Sequence, residues 1–288
     1  MSAHKTKIFR MGAVLFCLAV FCSGLSAASE QKVVKLGIWP CTSPMKVYRQ
    51  YQELAGFLST ETGLKVKLVI PKNSAAFFEL VKRDGVDFAF QDANVYSRLA
   101  GNYSPGHLLQ ALTAEGKSVE RGVIIVRKDS GITDVKALKG KKILFGDEQS
   151  LTKHITIKKL LAENGLDVKK DLAGYSFGRD CEGIILRVYL RKTDAGAIDN
   201  WSWKALHEPG EQEVEADQLT EIAEGAAVPY WVFSVHKDTD ESIAAKFEQA
   251  LLKLDNKNAA YKEILKNMEI GGFVKSKETD YGILQDLR

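Results

Sequence analysis

The fold of this chain is constrained most by a regular alternation of short apolar runs with longer amphipathic segments. The runs have the length of strands and end at turn-forming residues; the run 33–38, for example, ends at Trp39-Pro40. The amphipathic segments repeat apolar residues at helical spacing, as in 45–60, which is followed by Gly63. An order of strand, helix and strand predicts an α/β fold with largely parallel sheets covered by helices.

The alternating segments form two sets, and each set predicts one sheet. The first set predicts further strands at 66–70, 86–90 and 108–113, and helices at 74–83 and 94–100. The second set predicts strands at 123–127, 143–145, 174–177 and 195–198, with a helix at 181–192. A return strand at 231–235 and helices at 242–254 and 258–267 follow.

This order predicts two lobes, each with a mainly parallel sheet flanked by helices. We assign residues 29–121 and 232–288 to lobe 1, and residues 122–231 to lobe 2. No stretch rich in Pro, Gly or Ser separates the two sets. The chain is therefore expected to cross between the lobes on ordered segments near 119–126 and 226–234.

Residues 1–28 have the pattern of a secretory signal peptide. Three basic residues precede an apolar run from 11 to 25, and Ser26-Ala27-Ala28 offers a cleavage site of small residues. The run is shorter than the about 20 residues that a membrane span needs. We therefore predict a soluble protein exported to the periplasm, with cleavage near Ala28.

Charge and motifs exclude several functions. The chain has 40 basic and 37 acidic residues, and the signal peptide holds three of the basic and none of the acidic ones. The balanced remainder gives no reason to expect binding to nucleic acid or to an anionic membrane. Gly116-Lys117-Ser118 lacks the first glycine of a phosphate loop, and no signature of a metalloprotease, hydrolase or dinucleotide site is present. An enzyme is therefore the minority hypothesis, and neither a metal nor a cofactor is expected.

The most informative stretch is KKILFGDEQSLTKHITIKKLLAENG at 141–165, which predicts a strand, a short loop and a helix. Ser150 and Thr152 lie at the predicted helix start, where backbone N–H groups lack partners and the helix dipole is positive. Their hydroxyls either cap the helix or hold an anion. The local sequence favours capping, and only the rest of the chain can distinguish capping from anion binding.

The order of several segments resembles the phosphonate/phosphite-type periplasmic binding proteins of ABC importers. The resemblance runs from about residue 33 to 281 and is carried by GVDFAF at 85–90, SGITDVKALKGKKILFGD at 130–147, LLAENGLD at 160–167, DAGAID at 194–199, LLKLD at 251–255 and ILKNMEIGGFVKSKETDY at 264–281. It implies the type II two-lobed fold, with a ligand cleft between the lobes.

The resemblance also implies a set of ligand-binding residues. The hydroxyl-rich loop of the family corresponds to 147–153, with hydroxyls kept at two positions, Leu151 in place of the middle one and a lysine in place of a glycine. A family histidine corresponds to Cys181, which implies weak binding of simple alkylphosphonates. The residues expected at the cleft are Trp39, Asn73, Gln91, Tyr96, Ser150, Thr152, Lys153, Cys181, Glu182 and Asp199.

Cys41 and Cys181 are the two cysteines outside the signal peptide. One alternative is a pair of inert thiols, since free cysteine usually behaves as a small apolar residue. A second is a disulfide across the cleft, which would restrain opening. A third is a thiolate at Cys181, favoured by its helix N-terminus, that grips a soft ligand.

The expected function is capture of a small anionic ligand, of the phosphonate/phosphite oxyanion class, for an ABC permease. The alternative is a periplasmic sensor component that reports to a histidine kinase, for a thiophilic oxyanion such as arsenite. A monomer is expected in either case. The sequence leaves open the ligand, the choice between importer and sensor, and the redox state of the two cysteines.

Overall fold

The computed structural model describes residues 32–208 and 214–285, together with residue 1. The predicted signal peptide and its cleavage site at Ala28 lie outside these residues. All elements below belong to one compact unit, residues 32–288. None of the described helices is both long enough and apolar enough to cross a membrane.

Thirteen strands and eight α-helices lie in the described residues. The strands are β1 (Val33–Ile38), β2 (Lys65–Val69), β3 (Phe88–Gln91), β4 (Leu109–Leu112), β5 (Val119–Glu120), β6 (Gly122–Arg127), β7 (Lys142–Phe145), β8 (Gly174–Phe177), β9 (Ala195–Asp199), β10 (Leu219–Glu224), β11 (Val228–Pro229), β12 (Val232–Val235) and β13 (Gly272–Lys275). The helices are α1 (Pro44–Thr62), α2 (Ser74–Lys82), α3 (Ala93–Leu99), α4 (Thr156–Glu163), α5 (Cys181–Tyr189), α6 (Asn200–Ala205), α7 (Glu241–Leu252) and α8 (Lys262–Met268).

The strands form two main sheets. The larger has the order β13-β4-β12-β3-β1-β2, and the smaller has the order β10-β6-β9-β7-β8. Among the described strands, four of six in the larger sheet and four of five in the smaller run in one direction. The two-lobed α/β prediction is confirmed, although the strands that return between the lobes pair antiparallel and make both sheets mixed.

The two crossings between the sheets pair with each other. β5 and β11 form an antiparallel two-stranded ladder in which Glu120 lies opposite Val228 and Val119 opposite Pro229. The Tyr230 N–H extends the contact by donating to the Ser118 carbonyl at 2.9 Å. These crossings lie where the sequence predicted them, and their pairing joins the two connections at the base of the cleft.

The sequence pattern located most elements because their local signals agree with their burial. In α1, the Ser43 hydroxyl accepts from the Lys46 N–H at 3.3 Å, and Gly63 ends the helix at φ 70°. Its buried face is Val47, Tyr51, Leu54, Ala55, Leu58 and Thr62.

The differences from prediction occur where the local signal is weak. β10, β13 and α6 were not predicted, because the two strands are edge strands that are only partly buried and α6 has six residues. Helix α5 ends three residues before the predicted 192, and Arg191 then adopts a left-handed φ of 56°. The predicted helix 258–267 divides into a 3₁₀ turn at Ala259–Tyr261 and α8.

Candidate functional site

A cavity of about 840 Å³ lies between the two main sheets and is lined by residues of both lobes. Seven of the ten predicted site residues line it: Trp39, Ser150, Thr152, Lys153, Cys181, Glu182 and Asp199. They lie in the segments that follow β1 and β7, at the last residue of β9 and at the start of α5. The α/β topology places the carboxyl ends of the parallel strands at one edge of each sheet.

The helix start after β7 is a π-helical turn, Leu151–Ile155, that leads directly into α4. The Ser150 hydroxyl accepts from the Lys153 N–H at 3.2 Å, and the Ile155 N–H donates to the Ser150 carbonyl at 3.1 Å. Ser150 is thus a helix cap, and its hydroxyl proton is still available to a ligand. Single π-helical turns occur often at functional sites because they reorient nearby groups.

One backbone N–H group of this helix start already donates a hydrogen bond to a carboxylate of lobe 1. Asp92, at the end of β3, accepts from the Leu151 N–H at 3.0 Å and from the Asn94 N–H at 2.7 Å. Burial raises the pKa of Asp92 to about 6, against the lowering by its hydrogen bonds. The sequence did not single out Asp92, since nothing local indicates that its partner lies 59 residues away.

Lys153 places an ammonium group in the cavity. The side chain is half-buried and forms no hydrogen bond or ion pair within the part of the chain that the structure describes. Burial alone would lower its pKa, but the surrounding acidic groups, among them Asp199, outweigh burial and raise it. Gly146 makes room for the lysine, because a Cβ at 146 would lie 2.4 Å from the Lys153 Cβ.

The two cysteines both line the cavity, and both are free thiols. The structure therefore does not contain the disulfide considered above. The Cys181 thiol donates to an Asp199 carboxylate oxygen at 3.0 Å, so it is protonated. Burial and then the Asp199 charge raise its pKa, and burial raises that of Cys41 to about 11. The third alternative, a thiolate at Cys181, is therefore not favoured, because desolvation exceeds the helix N-terminus effect.

Polar contacts join the lobes across the mouth of the cavity. The Lys46 ammonium lies 2.6 Å from the Glu182 carboxylate, and the Ser74 hydroxyl donates to Asp147 at 2.7 Å. The Lys46 and Glu182 side chains are 38% and 76% exposed, so this ion pair contributes little to stability. Both contacts join a residue of lobe 1 to a residue of lobe 2.

Three predicted site residues lie away from the cavity lining. Asn73 is exposed and caps α2, where its side chain accepts from the Ala76 N–H at 2.9 Å. Gln91 is fully buried and contacts Ser234 and Tyr103. Tyr96 is buried in the apolar core of lobe 1. Asn73 and Gln91 are hydrogen-bonded elsewhere and Tyr96 packs against Tyr103 and Tyr281, so we leave all three out of the proposed site.

Several residues at the cavity were missed because their strands and loops carry no local motif. The most important is Glu120, which lies on β5 and is only 5% exposed. Tyr51, Tyr230, Trp201 and Trp231 add aromatic walls. The indole N–H of Trp201 is buried and has no acceptor among the described residues. The signal that could have located Glu120 is its position in a predicted crossing.

A second group of titratable residues lies outside the cavity, at Asp84, His236 and Asp238. The His236 Nε2 faces Asp84 at 3.2 Å, whereas its Nδ1 faces Asp238 at 3.6 Å. The Nδ1 also accepts the Asp238 backbone N–H at 3.4 Å, whereas the buried Nε2 forms no hydrogen bond with the described residues.

The fold and the cleft define a two-lobed binding protein of the type II class. The family model described as "ABC transporter, phosphonate, periplasmic substrate-binding protein" matches residues 36–281, and the chain belongs to this family. The resemblance found in the sequence is thereby confirmed.

Individual relatives agree with this assignment. A probable ABC transporter phosphite binding protein of Prochlorococcus marinus is 22% identical over 272 residues, which cover 90% of each chain. The structure of a binding protein component of a Pseudomonas aeruginosa ABC phosphonate transporter has a TM-score of 0.77 at 19% identity and covers 90% of this chain and 86% of its own. A Prochlorococcus marinus protein in complex with methylphosphonate has a TM-score of 0.78 at 17% identity, with 89% and 97% covered.

Proposed function

We propose that this protein captures a small acidic ligand in the periplasm and delivers it to an ABC permease. The observation that carries the proposal is the cavity between the lobes, with Ser150, Thr152 and the unpaired Lys153 on its wall. Hydroxyl and ammonium donors beside a helix start suit an oxyanion. The family's transporter role and the ligands named for its relatives support the phosphonate/phosphite class.

The remaining features of the proposal follow from the sequence. The signal peptide is cleaved near Ala28, and the mature protein acts as a monomer without enzymatic activity. Lobe 1 comprises residues 29–121 and 232–288, and lobe 2 comprises 122–231. The two lobes close around the ligand by a hinge motion at β5 and β11.

The sensor alternative is not favoured. Its chemical basis was a thiolate that grips a thiophilic oxyanion. Cys181 instead keeps its proton and donates a hydrogen bond to Asp199, and burial raises its pKa. The family model, moreover, describes a transporter component.

The proposal is tested by measuring ligand binding and lobe closure together. A thermal-shift screen should include phosphite, phosphonates, sulfonates and carboxylates, since a ligand at one hundred times its Kd adds about 2.7 kcal/mol of apparent stability. Small-angle scattering of the same samples should then show a smaller radius of gyration with a saturating ligand. A saturating ligand that leaves the radius of a ligand-free open state unchanged would contradict closure, and a screen without any binder would contradict capture.

A further inference from the structure

The walls of the cavity are more acidic than a simple oxyanion requires. Nine carboxylate side chains line it, against five cationic ones. A doubly charged phosphonate would be repelled by this excess, because like charges at a few ångströms in a partly dry site interact strongly. The cavity volume of about 840 Å³ also exceeds the space that a one-phosphorus oxyanion fills.

Glu120 is the carboxylate with the most unusual surroundings. It is 5% exposed, lies on β5 at the base of the cleft, and lines the cavity. No hydrogen bond or ion pair reaches its side chain from the described residues, and burial, followed by the Asp199 and Asp92 charges, raises its pKa well above the usual range. A carboxyl group buried without a partner is costly to ionise, and a cationic partner from outside the chain would stabilise its charged form.

The neighbouring carboxylates differ from Glu120 in this respect. Asp92 accepts two backbone N–H groups, and Asp199 accepts the Cys181 thiol and the Ser202 N–H at 2.8 Å. Both lie close enough to repel Glu120 electrostatically, and Lys153 is the cation that attracts it. The Lys153 ammonium is therefore the shared cation near the carboxyl groups of Asp92, Asp199 and Glu120, and it forms an ion pair with none of them.

We propose that the ligand is a zwitterion whose acid group binds at Ser150, Thr152 and Lys153 and whose cationic nitrogen lies against Glu120. An unpaired ammonium and an unpaired carboxylate in one cavity are the complement of such a ligand. This inference rests on the proposed function and specifies the ligand class of the same site. It also explains why simple alkylphosphonates are expected to bind weakly, since they leave Glu120 without a partner.

The test uses two matched pairs of probes and isothermal titration calorimetry on the mature protein. The phosphonate pair is propylphosphonate and 3-aminopropylphosphonate, and the carboxylate pair is butyrate and 4-aminobutyrate. We expect the amino member of at least one pair to bind at least tenfold more tightly than its neutral-tailed partner. An N-trimethyl derivative of the preferred probe then distinguishes a primary ammonium from a quaternary one, both of which carry the proposed cation.

Glu120→Gln should abolish this preference, because it keeps the shape of the side chain and removes its charge. Glu263→Gln is the matched control: it makes the same charge change at an exposed residue in the first turn of α8 and should keep the preference. Thermal unfolding of each variant shows that it is folded. A Glu120→Asp variant, which retains the charge on a shorter chain, should keep part of the preference.

The outcomes separate the two proposals. If plain and amino probes bind equally, or if Glu120→Gln keeps the preference, the zwitterion proposal is overturned and the oxyanion function stands. If only the carboxylate pair binds and its amino member is preferred, the zwitterion proposal stands and the phosphonate class fails. If none of the four probes binds at millimolar concentration, the zwitterion proposal is overturned, and the oxyanion function is decided by the thermal-shift screen that includes phosphite.

Discussion

The backbone N–H of Leu151 donates to the Asp92 carboxylate at 3.0 Å, and this bond crosses from lobe 2 to lobe 1. The Leu151 side chain follows the same path and is 1% exposed in an apolar cluster with Trp39 and Phe77 of lobe 1. Leu151 is thus a contact between the lobes. Its side chain stabilises the closed arrangement by burial of apolar surface.

Leu151→Ala is expected to open the lobes as well as to destabilise the fold. The free energy of unfolding should fall by about 2–5 kcal/mol, the usual cost for a buried leucine. The radius of gyration of the ligand-free protein should rise in small-angle scattering. Leu161→Ala is the matched control, because Leu161 is 0% exposed within the core of lobe 2. Equal radii for the two variants would contradict a role of Leu151 in closure.

Ser150 and Thr152 are expected to differ in what their hydroxyls do. Ser150→Ala should lower the free energy of unfolding by about 0.5–2 kcal/mol, because it removes a helix cap. Ser150→Ala with Thr152→Ala should weaken binding of an acidic ligand at least tenfold, from hydrogen bonds worth about 1.5–3 kcal/mol each to a charged acceptor. Thr156→Val is the control. It removes a nearby hydroxyl that already donates to the Thr152 carbonyl at 3.1 Å, so it should leave the affinity unchanged. Unchanged affinity of the double variant would show that the hydroxyls only cap.

Cys181 is expected to react slowly with iodoacetamide at neutral pH. Its thiol donates to Asp199, and burial and the Asp199 charge both raise its pKa, so little thiolate is present. Asp199→Asn should speed alkylation of Cys181, and a bound ligand should protect it. Mass spectrometry distinguishes this site from Cys41, the internal reference. Rapid labelling of the ligand-free protein at Cys181 would contradict the protonated thiol.

His107 is expected to make stability depend on pH. Its two ring nitrogens each lie 2.7 Å from a carboxylate of α7, Glu241 and Glu248. Burial lowers the pKa of His107, but the hydrogen bonds to the two glutamates outweigh burial and raise it. The folded state therefore binds its proton more tightly than the unfolded state. The stabilisation is complete below the unfolded pKa of about 6.5 and is lost as pH rises through the folded value.

The measurement is urea unfolding between pH 5.5 and 8.5. His107→Gln should reduce the fall in free energy of unfolding across this range by about 1 kcal/mol, since the pair with Glu241 is largely exposed. His207→Gln, at an exposed position, should leave the slope unchanged. If both variants show the same slope of unfolding free energy against pH as the original protein, the pH dependence comes from groups other than His107.

The sequence alone determined the alternation of elements, the two-lobed α/β class and the positions of the crossings. These depend on local periodicity and on turn residues such as Pro40 and Gly63, which act within a few residues of the chain. It also identified the helix start at Ser150, because a strand end followed by hydroxyls is a local pattern. Elements of low burial, such as β10, escaped prediction for the same reason: their pairing partner, not their own pattern, holds them in place.

The tertiary structure decided which groups face each other in the cleft. Asp92 and Leu151 are 59 residues apart, and nothing in either segment indicates their hydrogen bond. The state of Cys181 likewise depends on burial and on Asp199, and both outweigh the helix-start effect that the sequence could suggest. Glu120 became significant only when folding buried it without a partner. The energy of a charged side chain depends on its solvation and on its neighbours in space. The sequence therefore specifies which titratable groups are present but not how stable their charged forms are.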